Sequence, residues 1–340
     1  MRRKFIMKNL YSQIGWKYAL FAILVNAVQI VLQLFLPESV ISHPLFVWAL
    51  TVVSIYVIGF PFLVVILGKR EKETLEKKKM SFKSFVVCVF IGAGICGVGS
   101  LIGSYLTMFI LMLFGSSADA LNANPLMELM LFSDTIPRVL VVGILAPIFE
   151  ELIFRKLLID RTVKYGEGVA IVASGLMFGL FHGNFSQFFF ATGLGIFWAY
   201  IYIRTGKVWY TILFHMIINL VSSVGTVLLM QNMPMDKFMN CMNMLSYEET
   251  MEEGLRLFID IFPAISLYMA WTGFLALCAL IGVVLFFCNL KKFYFMPRPM
   301  QEEKRLARKY AFANGGMIFF YLETLVMFVI YYVGIIMMYS

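Results

Sequence analysis

Apolar residues fill this chain in runs of about 20, separated by short polar stretches, and within most runs no face is polar. Nine such runs lie near 18–36, 45–68, 84–115, 136–158, 168–184, 186–203, 208–230, 263–290 and 315–338. A helix rising about 1.5 Å per residue crosses a ~30 Å hydrocarbon layer in about 20 residues. The pattern therefore predicts an all-α fold, a polytopic membrane helical bundle of about nine transmembrane helices. The third run is long enough to project from the bilayer or tilt in it, whereas the fifth and sixth are short.

Composition agrees with this reading. Of 340 residues, 61% are hydrophobic and only 14% charged, and the mean hydropathy is +0.85. A soluble domain is about half apolar and a quarter charged. The net charge of +8 does not indicate a nucleic-acid partner, because the basic residues cluster between apolar runs. That is how topology signals are distributed. Arg2, Arg3, Lys4, Lys8 and Lys17 precede or open the first run, while residues 37–44 carry no Lys or Arg. Residues 69–83 carry seven, 116–135 none, 231–262 two against six acids, and 291–310 seven. Arg155, Lys156, Arg161 and Lys164 follow the fourth run, and Arg204 and Lys207 the sixth. The alternation predicts a multi-pass protein of the cell membrane with a cytoplasmic N-terminus and an external C-terminus. The basic start has no small-residue cleavage site after it and reads as the flank of a retained helix.

Other features have plain readings. The five cysteines show no metal-ligand spacing and read as free thiols, four of them within apolar runs. Gly99 and Gly103, four residues apart in "GAGICGVGSLIGS", predict close helix packing. The basic runs 69–83 and 291–310 read as solvated cytoplasmic faces, with anionic lipid as a secondary contact. No internal repeat is visible. His43 sits in a short loop and carries no signal.

The departures from this apolar pattern are concentrated. "IFEELIFRKL" places Glu150, Glu151 and Arg155 in the fourth run, His182 ends the fifth, and His215 and Asn219 lie in the seventh. Ionisable groups at such depth are costly and tend to be functional. Glu151 and Arg155 are four apart and can pair on one face, which leaves Glu150 about 100° away for another task. His215 and Asn219 share a face by the same spacing, as do Phe178 and His182. Pro147 withdraws a helix hydrogen bond just before the acids. A carboxylate and a histidine can activate water, and a second histidine with an amide can hold an oxyanion. Glu150, His182 and His215 also make a candidate divalent-metal set, with zinc the natural ion; sequence leaves the two chemistries open. Glu323, alone in the last run, reads as a packing or lumen residue. Ser174 lies in "VASG", without the first glycine of a rhomboid G-x-S-G, and no H-E-x-x-H occurs.

The ordered motifs E-E-x-x-x-R (Glu150, Glu151, Arg155), F-x-x-x-H (Phe178, His182) and H-x-x-x-N (His215, Asn219) resemble the CPBP family of intramembrane proteases. That family comprises type II CAAX prenyl endopeptidases and bacteriocin-processing or self-immunity proteins. "YIRTGKVWYTILFH" (202–215) is similar to the stretch before its last motif, and the resemblance covers about 136–225. It implies a protease core at 136–230 in runs four to seven, between N-terminal helices with a basic loop at 1–135 and an external loop with C-terminal helices at 231–340. It further implies an endopeptidase acting on a membrane-associated peptide or protein. Glu150 and His182 would activate water, and His215 and Asn219 would stabilise the oxyanion. Glu151, Arg155 and Phe178 would support them, with either a metal or a glutamate mechanism. The alternatives are a non-catalytic scaffold or immunity protein of the same fold and a proton-coupled transporter.

One depth does not match. If the fifth run enters the membrane at Gly168, His182 lies ~21 Å in, while Glu150 and His215 lie ~10 Å from the cytoplasmic face. The run is therefore expected to begin in the cytosol, or the 168–204 hairpin to cross only partly.

Overall fold

The computed structural model describes residues 2–43, 45–68, 72–114, 134–294 and 309–339, with side chains described between 9 and 337. The expectations drawn from Arg2, Arg3, Lys4, Lys8, Lys69 and Arg70, and from most of 116–135 and 291–310, fall outside these residues or side chains. No strand occurs among the described residues. Besides one-turn pieces, they form α1 (Arg2–Phe35), α2 (Phe46–Leu67), α3 (Phe82–Leu113), α4 (135–162), α5 (Glu167–Phe181), α6 (Phe185–Thr205), α7 (Val208–Gln231), α8 (Met235–Leu245), α9 (Met251–Asn289) and α10 (Gly315–Tyr339).

Seven of these, α1, α2, α3, α6, α7, α9 and α10, are long and apolar enough to cross a membrane. The expected count of about nine thus divides into seven such helices and two exceptions. α4 fails on charge, because it holds Arg138, Glu150, Glu151, Arg155, Lys156, Asp160 and Arg161. α5 is apolar but has only 15 residues, about 22 Å of helix. Both exceptions belong to the cluster of polar motifs.

Small residues let the helices around that cluster touch. A Cβ at Gly99 would lie 2.4 Å from Phe190 Cα, and one at Gly103 2.3 Å from the Phe185 carbonyl oxygen, so α3 rests directly on the α6 backbone. α5 and α6 form a hairpin in which a Cβ at Gly195 would stand 2.8 Å from Gly175 Cα. The Asn184 side chain starts α6 by accepting from Gln187 N at 2.9 Å. The core along this hairpin and α4 is largely aromatic, with Phe154, Phe178, Trp198 and Phe214 all buried.

α4 is not a regular helix. It winds as π-helix over Val139–Leu145 and again over Leu152–Leu157. The second segment has two carbonyls bonded from outside, Ile153 by Tyr18 Oη and Phe154 by Ser174 Oγ, each at 2.7 Å. Ser174 is therefore a buried packing residue.

The basic loop is more than a solvated face. Residues 72–81 run as an extended strap over the ends of α4, α6 and α7. Glu73 N donates to Asp160 O at 2.8 Å, Lys78 N to Thr205 O at 2.8 Å, and Met80 N to Tyr210 Oη at 2.9 Å. Lys72, Lys77, Lys78 and Lys79 remain exposed. All five cysteines are free.

Candidate active site

α4 supplies the acids, and it settles its charges pairwise. The expected Glu151–Arg155 pair forms as a fork, with Nη2 at 2.9 Å from Oε1 and Nε at 2.9 Å from Oε2, both side chains fully buried. Among the described residues Arg155 Nη1 has no hydrogen-bond partner; the guanidinium instead lies 4.6 Å from the centre of the Phe178 ring, which offsets part of its desolvation. One turn on, Asp160 takes Lys156 at 2.6 Å and Tyr202 Oη at 2.6 Å. Arg138 donates to Gln231 Oε1 at 3.0 Å, and Arg161 to the Leu157 and Gly68 carbonyls.

Glu150 differs from these. No Lys or Arg stands at ion-pairing distance from it among the described residues, and its side chain keeps 22% of its exposure. His215 stands beside it, with Glu150 Oε2 at 3.7 Å from Nε2. That is too long for a direct hydrogen bond but suits one bridging water. Nδ1 of the same imidazole lies 3.2 Å from Glu151 Oε1. A carboxylate there fixes Nδ1 as the protonated nitrogen and leaves Nε2 to face Glu150. Trp198 of α6 covers the ring at 4.6 Å between centroids. Thr211, one turn before His215, also reaches Glu151.

Asn219 opens a π segment in α7, Asn219–Val224, and its Nδ2 donates to Val142 O at 2.9 Å. Val142 is five residues before Pro147, and in π winding its carbonyl is the one that residue 147 would serve. Pro147 has no N–H to give, so the amide of α7 fills the vacancy. The second Nδ2 hydrogen remains uncommitted among the described residues.

His182 follows α5 directly. Its Nδ1 sits 2.9 Å from the Phe178 carbonyl oxygen, which leaves Nε2 free. Phe178 is shared by the whole cluster: its ring meets His182 edge-on at 4.9 Å and His215 at 5.8 Å, besides lying against Arg155. Glu150 is close enough for its charge to act on His182, without an ion pair between them. Arg155, His182 and His215, from three separate stretches, therefore gather around one phenyl ring, with His215 3.7 Å from Glu150. Trp198, Thr211 and Tyr18 were not singled out in the sequence. Thr211 had a signal, its four-residue spacing from His215, whereas an aromatic residue inside an apolar run has none.

A catalytic zinc takes three protein ligands. No three His, Cys, Asp or Glu side chains are grouped to hold a metal ion among the described residues. Glu150 and His215 approach each other at 3.7 Å, but with His182 they are not grouped as a ligand set in this arrangement.

Residues 132–221 match the family of type II CAAX prenyl endopeptidase Rce1-like proteins. A stretch of 111 residues, 31% of this chain, is 28% identical to "Putative membrane peptidase YdiL" of Bacillus subtilis (strain 168). The chain covers 43% of that relative's length, so the likeness spans less than half of it. No solved structure gives a significant match. The matched segment contains α4 to α7 up to Val221 and every motif residue described above, and over that segment the chain is similar to type II CAAX prenyl endopeptidases and to "Putative membrane peptidase YdiL".

Proposed function

We propose that this protein is an intramembrane endopeptidase that hydrolyses a peptide bond in a membrane-associated peptide or protein. The reading is supported most by one observation. Among the described residues Glu150 alone of the α4 acids has no Lys or Arg partner, and it lies 3.7 Å from the free nitrogen of an imidazole, a pair that one water can join.

In this reading a water bound between Glu150 and His215 Nε2 attacks the scissile carbonyl carbon. Its proton passes to the Glu150 carboxylate, and the oxygen–carbon bond forms as the carbonyl becomes an oxyanion. The uncommitted N–H of Asn219 stabilises that oxyanion. Collapse breaks the carbon–nitrogen bond, and the proton held by Glu150 goes to the leaving amine. Glu151 and Arg155 keep His215 in its tautomer, and Phe178 sets the spacing of the two imidazoles. His182, close to Glu150 in charge though not in contact, orients the water or the leaving group.

The test is cleavage of membrane peptides by purified protein in detergent or nanodiscs, with and without a chelator. Wild type is expected to cleave in both conditions, and Glu150→Gln and His182→Ala to fold and lose cleavage. Cleavage that persists in Glu150→Gln would refute the assignment. Loss on chelation would transfer water activation to a metal. Absence of any cleavage, with a biological phenotype retained in Glu150→Gln, would favour a scaffold.

A further inference from the structure

Glu323 is not absorbed by the site above, yet it borders it. α10 brings Glu323 and Thr324 beside Asn26 and Gln29 of α1, and the four share the wall of a cavity of about 150 Å³ with His182 at the end of α5. The space exceeds what one water fills. Glu323 Oε2 is buried and has no hydrogen-bond partner among the described residues.

The donors of the wall are turned into it. Asn26 Nδ2 donates to Met327 Sδ at 3.3 Å. Gln29 Nε2 donates to Ser54 Oγ at 3.1 Å, and that hydroxyl gives its own hydrogen to Leu50 O at 2.7 Å. Thr324 Oγ1 donates to Tyr321 O at 3.0 Å. Those partners fix the two carboxamides with nitrogen toward protein, and neither carbonyl oxygen receives a hydrogen bond among the described residues. The groups left over are acceptors: two amide oxygens and a carboxylate. No Lys or Arg lines the cavity among the described residues. A buried carboxylate without a cation carries an uncompensated cost. A ligand that removes it must bring positive charge and several N–H donors on a small head.

We propose that this cavity is a binding site for a primary ammonium group, placed beside His182 so that a substrate's amino group is anchored next to the reacting bond. The substrate part of the proposal rests on the proteolytic reading, whereas ammonium binding does not. Two parts of a peptide carry this chemistry, a lysine side chain and a free α-amino terminus. Three N–H donors of an ammonium match the three acceptor groups, and a charge-assisted bond to Glu323 supplies most of the affinity.

The probe is n-butylammonium, measured by ligand-observed NMR on the purified full-length protein, with n-butanol as the uncharged control. Wild type is expected to bind the amine and not the alcohol. Glu323→Gln is expected to weaken binding at least about tenfold. Met327→Lys is a second variant that does not remove the acid. It places an ammonium four residues from Glu323, and is expected to abolish probe binding while raising the melting temperature. Equal binding of amine and alcohol, or binding unchanged in both variants, would overturn the site and leave a water-filled cavity.

Cleavage assays then separate the sources. Peptides with one lysine moved along the sequence, each with a free or acetylated N-terminus, are expected to show a preference that Glu323→Gln removes. Loss on acetylation assigns the α-amino group; loss on moving the lysine assigns the side chain. Cleavage indifferent to both refutes the subsite and leaves the proteolytic reading standing. Butylammonium binding in a protein that cleaves nothing refutes the proteolytic reading and leaves the site.

Discussion

Glu151 holds His215: its Oε1 lies 3.2 Å from Nδ1 of the imidazole, while the rest of the carboxylate is occupied by Arg155. This relationship joins α4 to α7 and decides which nitrogen of His215 is presented to Glu150. It also divides the labour of two adjacent glutamates, one as a clamp and one free to act.

The clamp can be separated from its charge. Glu151→Gln or Arg155→Met leaves one buried ion unpaired and is expected to cost about 3–5 kcal/mol, read as a fall in melting temperature in micelles. The paired variant Glu151→Leu with Arg155→Met removes both ions and is expected to recover most of that stability. It does not recover the hydrogen bond to His215, so cleavage is expected to stay down by about a hundredfold. Activity returning together with stability would show that Glu151 only balances Arg155.

The bond from Asn219 to Val142 O makes a similar separation available. Asn219→Ala strands a carbonyl and is expected to cost about 1–3 kcal/mol. Pro147→Ala restores a backbone N–H in the same helix. The double variant is expected to be more stable than the sum of the singles by about 1 kcal/mol, measured by a thermal double-mutant cycle. Strict additivity would mean that the amide and the proline act on different carbonyls.

These two pairs show what was legible before any coordinates. Glu151–Arg155 follows from four-residue spacing, and Phe178 with His182 likewise. The tie from Asn219 to Val142 does not, because π winding has no signature in an apolar run whose period is already featureless. The partner of Glu150 was unreadable for the same reason: a change of register within α4 rotates the acid by a large part of a turn. The shortness of α5 was readable from the length of its apolar run, hence the expectation that it differs from a full span. The strap at 72–81 docks through backbone groups, which every residue has, so its lysines pointed only to charge. The cavity at Glu323 needs Asn26 and Glu323, some 300 positions apart, to meet.

Phe178 carries the next expectation. Its ring separates two imidazoles and lies against a guanidinium with an unpartnered Nη1. Phe178→Leu keeps an apolar side chain but loses the ring face. The expected cost is about 2 kcal/mol from the desolvated cation–π contact, with a larger fall in turnover than in substrate binding. A loss of stability with turnover intact would reduce Phe178 to packing.

The strap turns on Gly206. It ends α6 in the left-handed region at φ 62°, and a Cβ there would lie 2.4 Å from Glu76 O. Gly206→Ala is therefore strained twice, by about 1–2 kcal/mol for the backbone and by contact with the strap. The strap is the softer partner, since it is held by single hydrogen bonds and exposes most of its side chains. The expected outcome is release of 72–81, read as faster cleavage by trypsin at Lys77, Lys78 and Lys79 with a modest change in melting temperature. Tyr210→Phe removes the bond to Met80 N without touching the glycine. It is expected to raise nicking in the same place by a smaller factor. Nicking unchanged in both variants would show that the strap is fastened by contacts other than these.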